Sequence, residues 1–536
     1  MLINGVSTIW SLFFATSCIA NITSPYALTW SSSNNILCST NGRCGPSGPD
    51  GPWHAPVVDF RFLPNSVPLY PSLSDEVEVF YPSYVPSGTN DDGHLYQFGD
   101  LLINQSVSAF AINASLSLIP AYPQSTLILD KTFTFLVQQW KIGLLNGSQY
   151  SPQVGYLAVG KRFMNAAAFD PTNGFTSRSW SMHYGSASLS LLGSFVFGGY
   201  EQNRALGPVA SFDIVKSTDL RTFLVDVTLG VDNGASPFNP DLGITKDISK
   251  SMWRSLGSVN SNIGAPFGAA AVYMAPEYPG IYLPQEVCAA IATMLPVIWQ
   301  PNIGYYTWNT SHPSYQRITT SPGYLGFVFA DRFAKNITIK VPFPLLNLTL
   351  EPPIVATPTP YFPCHSYNGS TAFLGRAFFQ SAFLAANWDS NLFYLAQGPG
   401  PNLDQSIMQV FPTNGAAFPT NSLDSFSKTW STFWTPILAQ PDAEPHHETG
   451  TGLSPGAIAG VVIGALAGAA LIGAGLWLLF KKKQRTNSQS EESHKIPGYT
   501  HEAEARTAQM CELATPDQHL GLAAPSTSHI SELPAS

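Results

Sequence analysis

The sequence predicts an all-β fold. Three observations carry that expectation: short runs alternate apolar and polar residues, those runs are rich in β-branched and aromatic side chains, and Gly, Pro and Asn punctuate them at regular intervals. Residues 186–200 (SASLSLLGSFVFGGY), 222–231 (TFLVDVTLGV) and 336–341 (NITIKV) are examples. Helical periodicity is confined to residues 283–295 and to 376–386. At 536 residues the chain has room for one large or two medium globular domains.

Taken in order, residues 1–20 (MLINGVSTIWSLFFATSCIA) read as a signal peptide, with an apolar core too short to span a bilayer and small residues at Cys18 and Ala20. Residues 21–50 are a polar N-terminal segment, and 51–397 hold the strand-rich body. Residues 398–454 are rich in Pro, Gly, Ser and Thr and read as a stalk, within which the aromatic stretch 426–434 is a candidate to pack. His446 and His447 lie in that linker without a Cys or carboxylate at ligand spacing, so no metal is expected. Residues 455–480 (PGAIAGVVIGALAGAALIGAGLWLLF) carry no charge and are followed by Lys481, Lys482, Lys483 and Arg485. That is one transmembrane helix with a basic cytoplasmic stop. The polar tail 481–536 is expected to be disordered and to recruit cytoplasmic partners. Signal peptide and single span together give a type I protein of the plasma membrane or cell surface. Gly460, Gly464 and Gly468 fall on one helix face and could support weak dimerisation.

Cysteines and sequons agree with an oxidising, secreted compartment. Cys38, Cys44, Cys288 and Cys364 form an even extracellular set with three possible connectivities, of which Cys38–Cys44 with Cys288–Cys364 is the economical one. Glycosylation sequons at Asn104, Asn113, Asn146, Asn309, Asn336, Asn347 and Asn368 all precede the span. Charged residues make up only 11% of the chain and the net charge is −9, which excludes the concentrated basic surface of a nucleic-acid binder. No Gly-x-Ser-x-Gly, His-Glu-x-x-His, P-loop or dinucleotide fingerprint occurs, and no cofactor is expected.

Residues 372–397 (AFLGRAFFQSAFLAANWDSNLFYLAQ) resemble the closing segment of pepsin-like aspartic proteases, in which a strand carrying Leu-Gly-Arg leads into a short helix and a final strand pair. Further landmarks follow the same order: Gly51-Pro52-Trp53 with the strand at 57–62, the GYLAVG turn at 155–160, FVFGGY at 195–200, the strand at 223–230, and Ile281-Tyr282-Leu283-Pro284. The resemblance covers 51–397 and implies a bilobal acid-protease fold, with lobes at 51–205 and 206–397 and a cleft between them. In that family each lobe gives one Asp of an Asp-Thr-Gly or Asp-Ser-Gly loop, and the two carboxyls share a proton. Neither tripeptide occurs here. The loops align with Pro71 and Ala275 at the two Asp positions, so both are expected to be degenerate.

Asp75, Glu76, Glu78 and Glu277 lie just beyond those loops and read as solvated carboxylates. The one rescue pairing, Glu277 with Asp75, needs a two-residue slip that catalytic geometry does not tolerate. The expectation is a catalytically inactive ectodomain that binds peptide or glycan in its cleft. The alternative is an active membrane-anchored aspartic endopeptidase with a divergent site; a structural wall protein without a discrete ligand is a third reading.

Overall fold

The structure is a computed structural model that describes residues 25–438 apart from 32–47, 81–93, 96–107, 140–141, 144–146, 148, 151, 153, 167–168, 171–174, 217–218, 254–269, 368–371, 413–417 and 423–424. Strands dominate, as expected from the alternating runs, and the helices are short. Three sheets carry the architecture. A seven-stranded sheet belongs to the N-terminal half, an eight-stranded sheet to the C-terminal half, and a six-stranded sheet takes strands from both. In the last, Ser179–His183 pairs with Ala382–Asn387, and Leu392–Gln397 pairs with Leu206–Asp213. One hydrophobic cluster runs through both halves, from Tyr26 to Trp434.

The two large sheets contain the same three-strand arrangement. In the N-terminal half, Val67–Ser72 runs into a loop and Val77–Phe80 leaves it, with Gly155–Ala158 threaded between them. The threaded strand is parallel to the first, with Tyr156 opposite Tyr70, and antiparallel to the second, with Tyr156 opposite Glu78. In the C-terminal half, Ala270–Met274 and Ile281–Pro284 flank Ala372–Leu374 in the same two senses. Such threading needs close main-chain approach. A Cβ on Gly155 would lie 1.9 Å from the Glu78 carbonyl oxygen, and one on Gly375 2.2 Å from that of Tyr278.

Local expectations met mixed outcomes. The helix within 283–295 forms at Gln285–Thr293, and the strands at Arg221–Val231 and Asn336–Pro342 are present. The helix expected over 376–386 stops at Phe379, because Ala382–Asn387 is a fully buried strand paired on both sides in the six-stranded sheet. Tertiary pairing overrides helix propensity there. Residues 21–50 are also not a loose segment where described: Tyr26–Ala27 pairs with Ser194–Phe197, and Trp30 is buried.

The expected stalk does not begin at Gly398. Met408–Val410 pairs with Gly199–Glu201, and Phe411 packs on Tyr200 and Tyr394. Trp430 is fully buried and stacks on Trp434, while Ala235 donates its N–H to the Ile437 carbonyl at 2.8 Å. The aromatic stretch 426–434 packs as the sequence allowed, whereas polar composition hid the anchor at residues 408–411.

Cys288 and Cys364 form a disulfide that joins the helix Gln285–Thr293 to the strand Cys364–Tyr367. Cys38 and Cys44 lie outside the described residues, as do Asn104, Asn146, Asn368, the signal peptide, the span with its glycines, and the tail. Among the described residues no helix is long and apolar enough to cross a membrane. Asn113 and Asn336 are exposed and Asn309 is partly so, whereas the side chain of Asn347 is engaged with the Tyr315 hydroxyl at 3.0 Å.

Two outcomes follow. Shortening the chain to end at Gln397 strips the cover from Tyr200 and removes Trp430, so the product aggregates or melts at least about 10 °C below a chain ending at Leu438, a loss of several buried aromatic side chains. Comparable melting of the two truncations would refute this. Replacing Cys288 and Cys364 together by Ser opens a loop closed across a sequence separation of 76 residues. Denaturant unfolding should register a loss of about 4 kcal/mol, the chain-entropy value for a loop of that order.

Candidate functional site

The loop ends of the two threaded motifs meet at Arg376. This residue opens the short helix Arg376–Phe379 directly after Gly375, so the threaded strand of the C-terminal half delivers it to the junction. Its side chain is buried, and its guanidinium carbon lies 3.9 Å from the ring centroid of Tyr70 and 5.1 Å from that of Trp53. Tyr70 belongs to the first strand of the N-terminal motif, so the cation–π contact spans the two halves. Arg376 also donates from Nη1 to the Glu277 carbonyl at 2.5 Å. Tyr184 reaches the same loop, donating its hydroxyl to the Pro276 carbonyl at 3.4 Å. Asp50 lies within electrostatic range of Arg376, accepts from Trp53 Nε1 at 3.1 Å, and is pushed above the ordinary carboxylate value by burial.

Main-chain direction relates the two loop positions. Val159 donates its N–H to the Ser72 carbonyl, and Ala275 donates its own to the Leu374 carbonyl, each at 2.9 Å. Ser72 and Ala275 therefore both address the threaded strand, whereas Pro71, one residue earlier, has no N–H and alternates to the other side. Pro71 and Ala275 therefore do not occupy matching ladder positions. All three residues are buried and none bears a carboxyl.

The neighbouring carboxylates divide into two kinds. Asp75 accepts the N–H of Arg162 at 2.8 Å, serving the first turn of the helix Lys161–Met164, and Glu76 pairs with the exposed Arg162 at 3.2 Å. Asp75 is thereby committed to that helix. Glu78 and Glu277 are not the solvated residues the sequence suggested. Glu78 is 8% exposed, and its Oε2 is enclosed with no hydrogen-bond partner. Glu277 is partly exposed, but its Oε2 is equally enclosed and unpartnered. Burial raises Glu78 to about 8, helped by repulsion from Glu76 and Glu277. Burial raises Glu277 to about 7, against the lowering influence of its own backbone hydrogen bond and of Arg376. Tyr156, opposite Glu78 in the ladder, lies within electrostatic range of both carboxyls and of Arg376.

Partly exposed rings flank this pair. Tyr278 packs edge-on against Tyr282 at 5.8 Å and Phe373 at 6.4 Å, and Phe373 stacks on Tyr273 at 5.3 Å. Nothing in the sequence joins Tyr70, Trp53, Asp50, Tyr156, Tyr184 and Arg376 into one site. The usable signal was a lone charge in the apolar run AFLGRAFF and a carboxylate inside the strand VEVF. No family model matches the chain, and no curated protein matches its sequence.

The buried acids set a pH dependence whose sign is fixed. A carboxyl raised on folding contributes stability that is complete below its ordinary value of 4.5 and is lost as pH rises through about 7 and 8. Buried His183 and His365 act oppositely: lowered to about 3 and about 4 from 6.5 by burial, they cost stability as pH falls below 6.5. Between pH 6.5 and 8 the carboxyls govern, so the melting temperature falls across that window, and Glu78→Gln flattens the fall. A melting temperature that rises over that window in the parent protein would overturn the assignment.

Proposed function

We propose that the chain is a type I surface glycoprotein whose ectodomain is a pepsin-like acid-protease fold without its catalytic pair, and that it binds peptide or glycan at the junction of its two lobes. The observation that carries this reading is the duplicated threaded-strand motif, whose incoming strands lead into their loops through Ser72 and Ala275. In the family it resembles, each such loop supplies a carboxyl, and two are needed, one as base toward water and one as acid toward the carbonyl. A hydroxyl and a methyl can do neither. The aromatic side chains around the junction suit a binding surface.

A second reading has one observation in its favour. Glu78 and Glu277 lie within electrostatic range of one another beside the same loops, each with one enclosed oxygen, and a divergent endopeptidase would require two such carboxyls. Such a pair holds a single shared proton only between about pH 7 and 8, so its activity would peak there and not at pH 3–5.

The test uses the full chain in detergent. Under the binding reading, denatured protein substrates stay intact at both pH 4 and pH 7.5, and peptide or glycan arrays retain the protein. Pepstatin-sensitive cleavage at pH 4 would sink it, while cleavage at pH 7.5 that disappears in Glu277→Gln would establish the second reading instead.

A further inference from the structure

Several features of the molecule carry no ligand. The buried pair Arg204–Glu201 is internally satisfied at 3.0 Å. Exposed Ile298 and Trp299 lie on a strand with nothing to say what covers them. The junction is different, because its charges do not balance. Asp50 and Glu277 lie within electrostatic range of one guanidinium and Glu78 within range of Glu277, while Arg376 is already occupied by the rings of Tyr70 and Trp53 and by the Glu277 carbonyl. The charged neighbours of Glu78 are Glu76 and Glu277, both acidic, with Tyr156 alongside. The neighbours of Glu277 are Arg376, Glu78, Tyr156 and Tyr184. Each of the two glutamates keeps one enclosed oxygen without a donor, and Glu78 does so while more than nine-tenths buried.

An enclosed acceptor that lacks a donor costs free energy, and a buried carboxylate lacking a cation costs more. The pair lowers that cost by holding protons. A second way is to accept an ammonium or guanidinium, which supplies donors and charge together. Partly exposed Tyr156, Tyr278 and Phe373 offer ring faces beside the acids, and a cation against such faces gains further.

We propose that Glu78 and Glu277, walled by Tyr156 and Tyr278, anchor a basic side chain, Lys or Arg, of a peptide bound at the lobe junction. This rests on the binding reading above and names its ligand class. Entry of the cation displaces the protons held by the pair, so affinity rises with pH through the range in which the carboxyls ionise.

The probes are capped pentapeptide mixtures with Lys, Arg or norleucine fixed at the centre, offered to the immobilised full chain. At about pH 8 the Lys and Arg mixtures should be retained at least about tenfold more tightly than norleucine, and the preference should shrink to within about threefold near pH 5.5. Glu78→Gln and Glu277→Gln should each abolish the preference, with melting temperatures at pH 8 no lower than that of the parent. Glu286→Gln, on an exposed helix position, should keep it. Equal retention of the norleucine mixture, or a preference that ignores pH, overturns the anchor and leaves the binding reading standing. Retention of no mixture at either pH overturns the anchor and removes the peptide arm of that reading; glycan arrays then decide the rest.

Discussion

The burial of one guanidinium organises the junction. Removing Arg376 from water is costly in itself, and among the described residues no ion pair offsets it. What holds it is a set of weaker partners gathered from distant parts of the chain: Trp53 and Asp50 from the start of the body, Tyr70 from the first threaded motif, and the Glu277 carbonyl from the second. Each of those segments is positioned by its own sheet. The halves are consequently held in one relative placement, because a shift of either would leave the charge without its rings. The surroundings are tied in the same sense: Tyr361 donates its hydroxyl to the Asp50 carbonyl at 2.6 Å, and Glu351 donates its N–H to Pro49 at 2.8 Å.

Much of the fold was legible because alternation of apolar and polar residues is a local property. The strands Arg221–Val231 and Asn336–Pro342 and the helix Gln285–Thr293 could be read from windows of ten residues. What failed depended on remote partners. Ala382–Asn387 has helix-favouring alanines, yet it is a central strand because Ser179–His183 and Leu392–Gln397 claim both its edges. The segment after Gln397 has the composition of a linker, yet ahead of the aromatic stretch 426–434 Phe411 already holds it against Tyr200.

The site was less legible for the same reason. Asp75 and Glu78 are three residues apart in one acidic run, and composition treats them alike. Geometry separates them: Asp75 lies on the loop and serves a helix terminus, while Glu78 is on the strand, one place from the loop, and turns inward opposite Tyr156. A loop comparison looks for carboxyls where the family resemblance puts them, at Pro71 and Ala275. Glu78 on the outgoing strand and Glu277 at the third residue of the opposite loop are related only across the junction.

The surroundings of the two glutamates set the chemistry available to them. A carboxyl pair tuned for acid hydrolysis must keep one member ionised at low pH, which requires donors aimed at the charged form. Glu78 and Glu277 have the reverse environment, with enclosed oxygens that lack donors, a like charge between them and little solvent. That arrangement favours the neutral form until something positive arrives. Gly155 and Gly375 let the third strand of each motif pass close to the neighbouring main chain. A meeting point of that character suits recognition of a positive charge, and Arg376 supplies the rigidity such recognition needs.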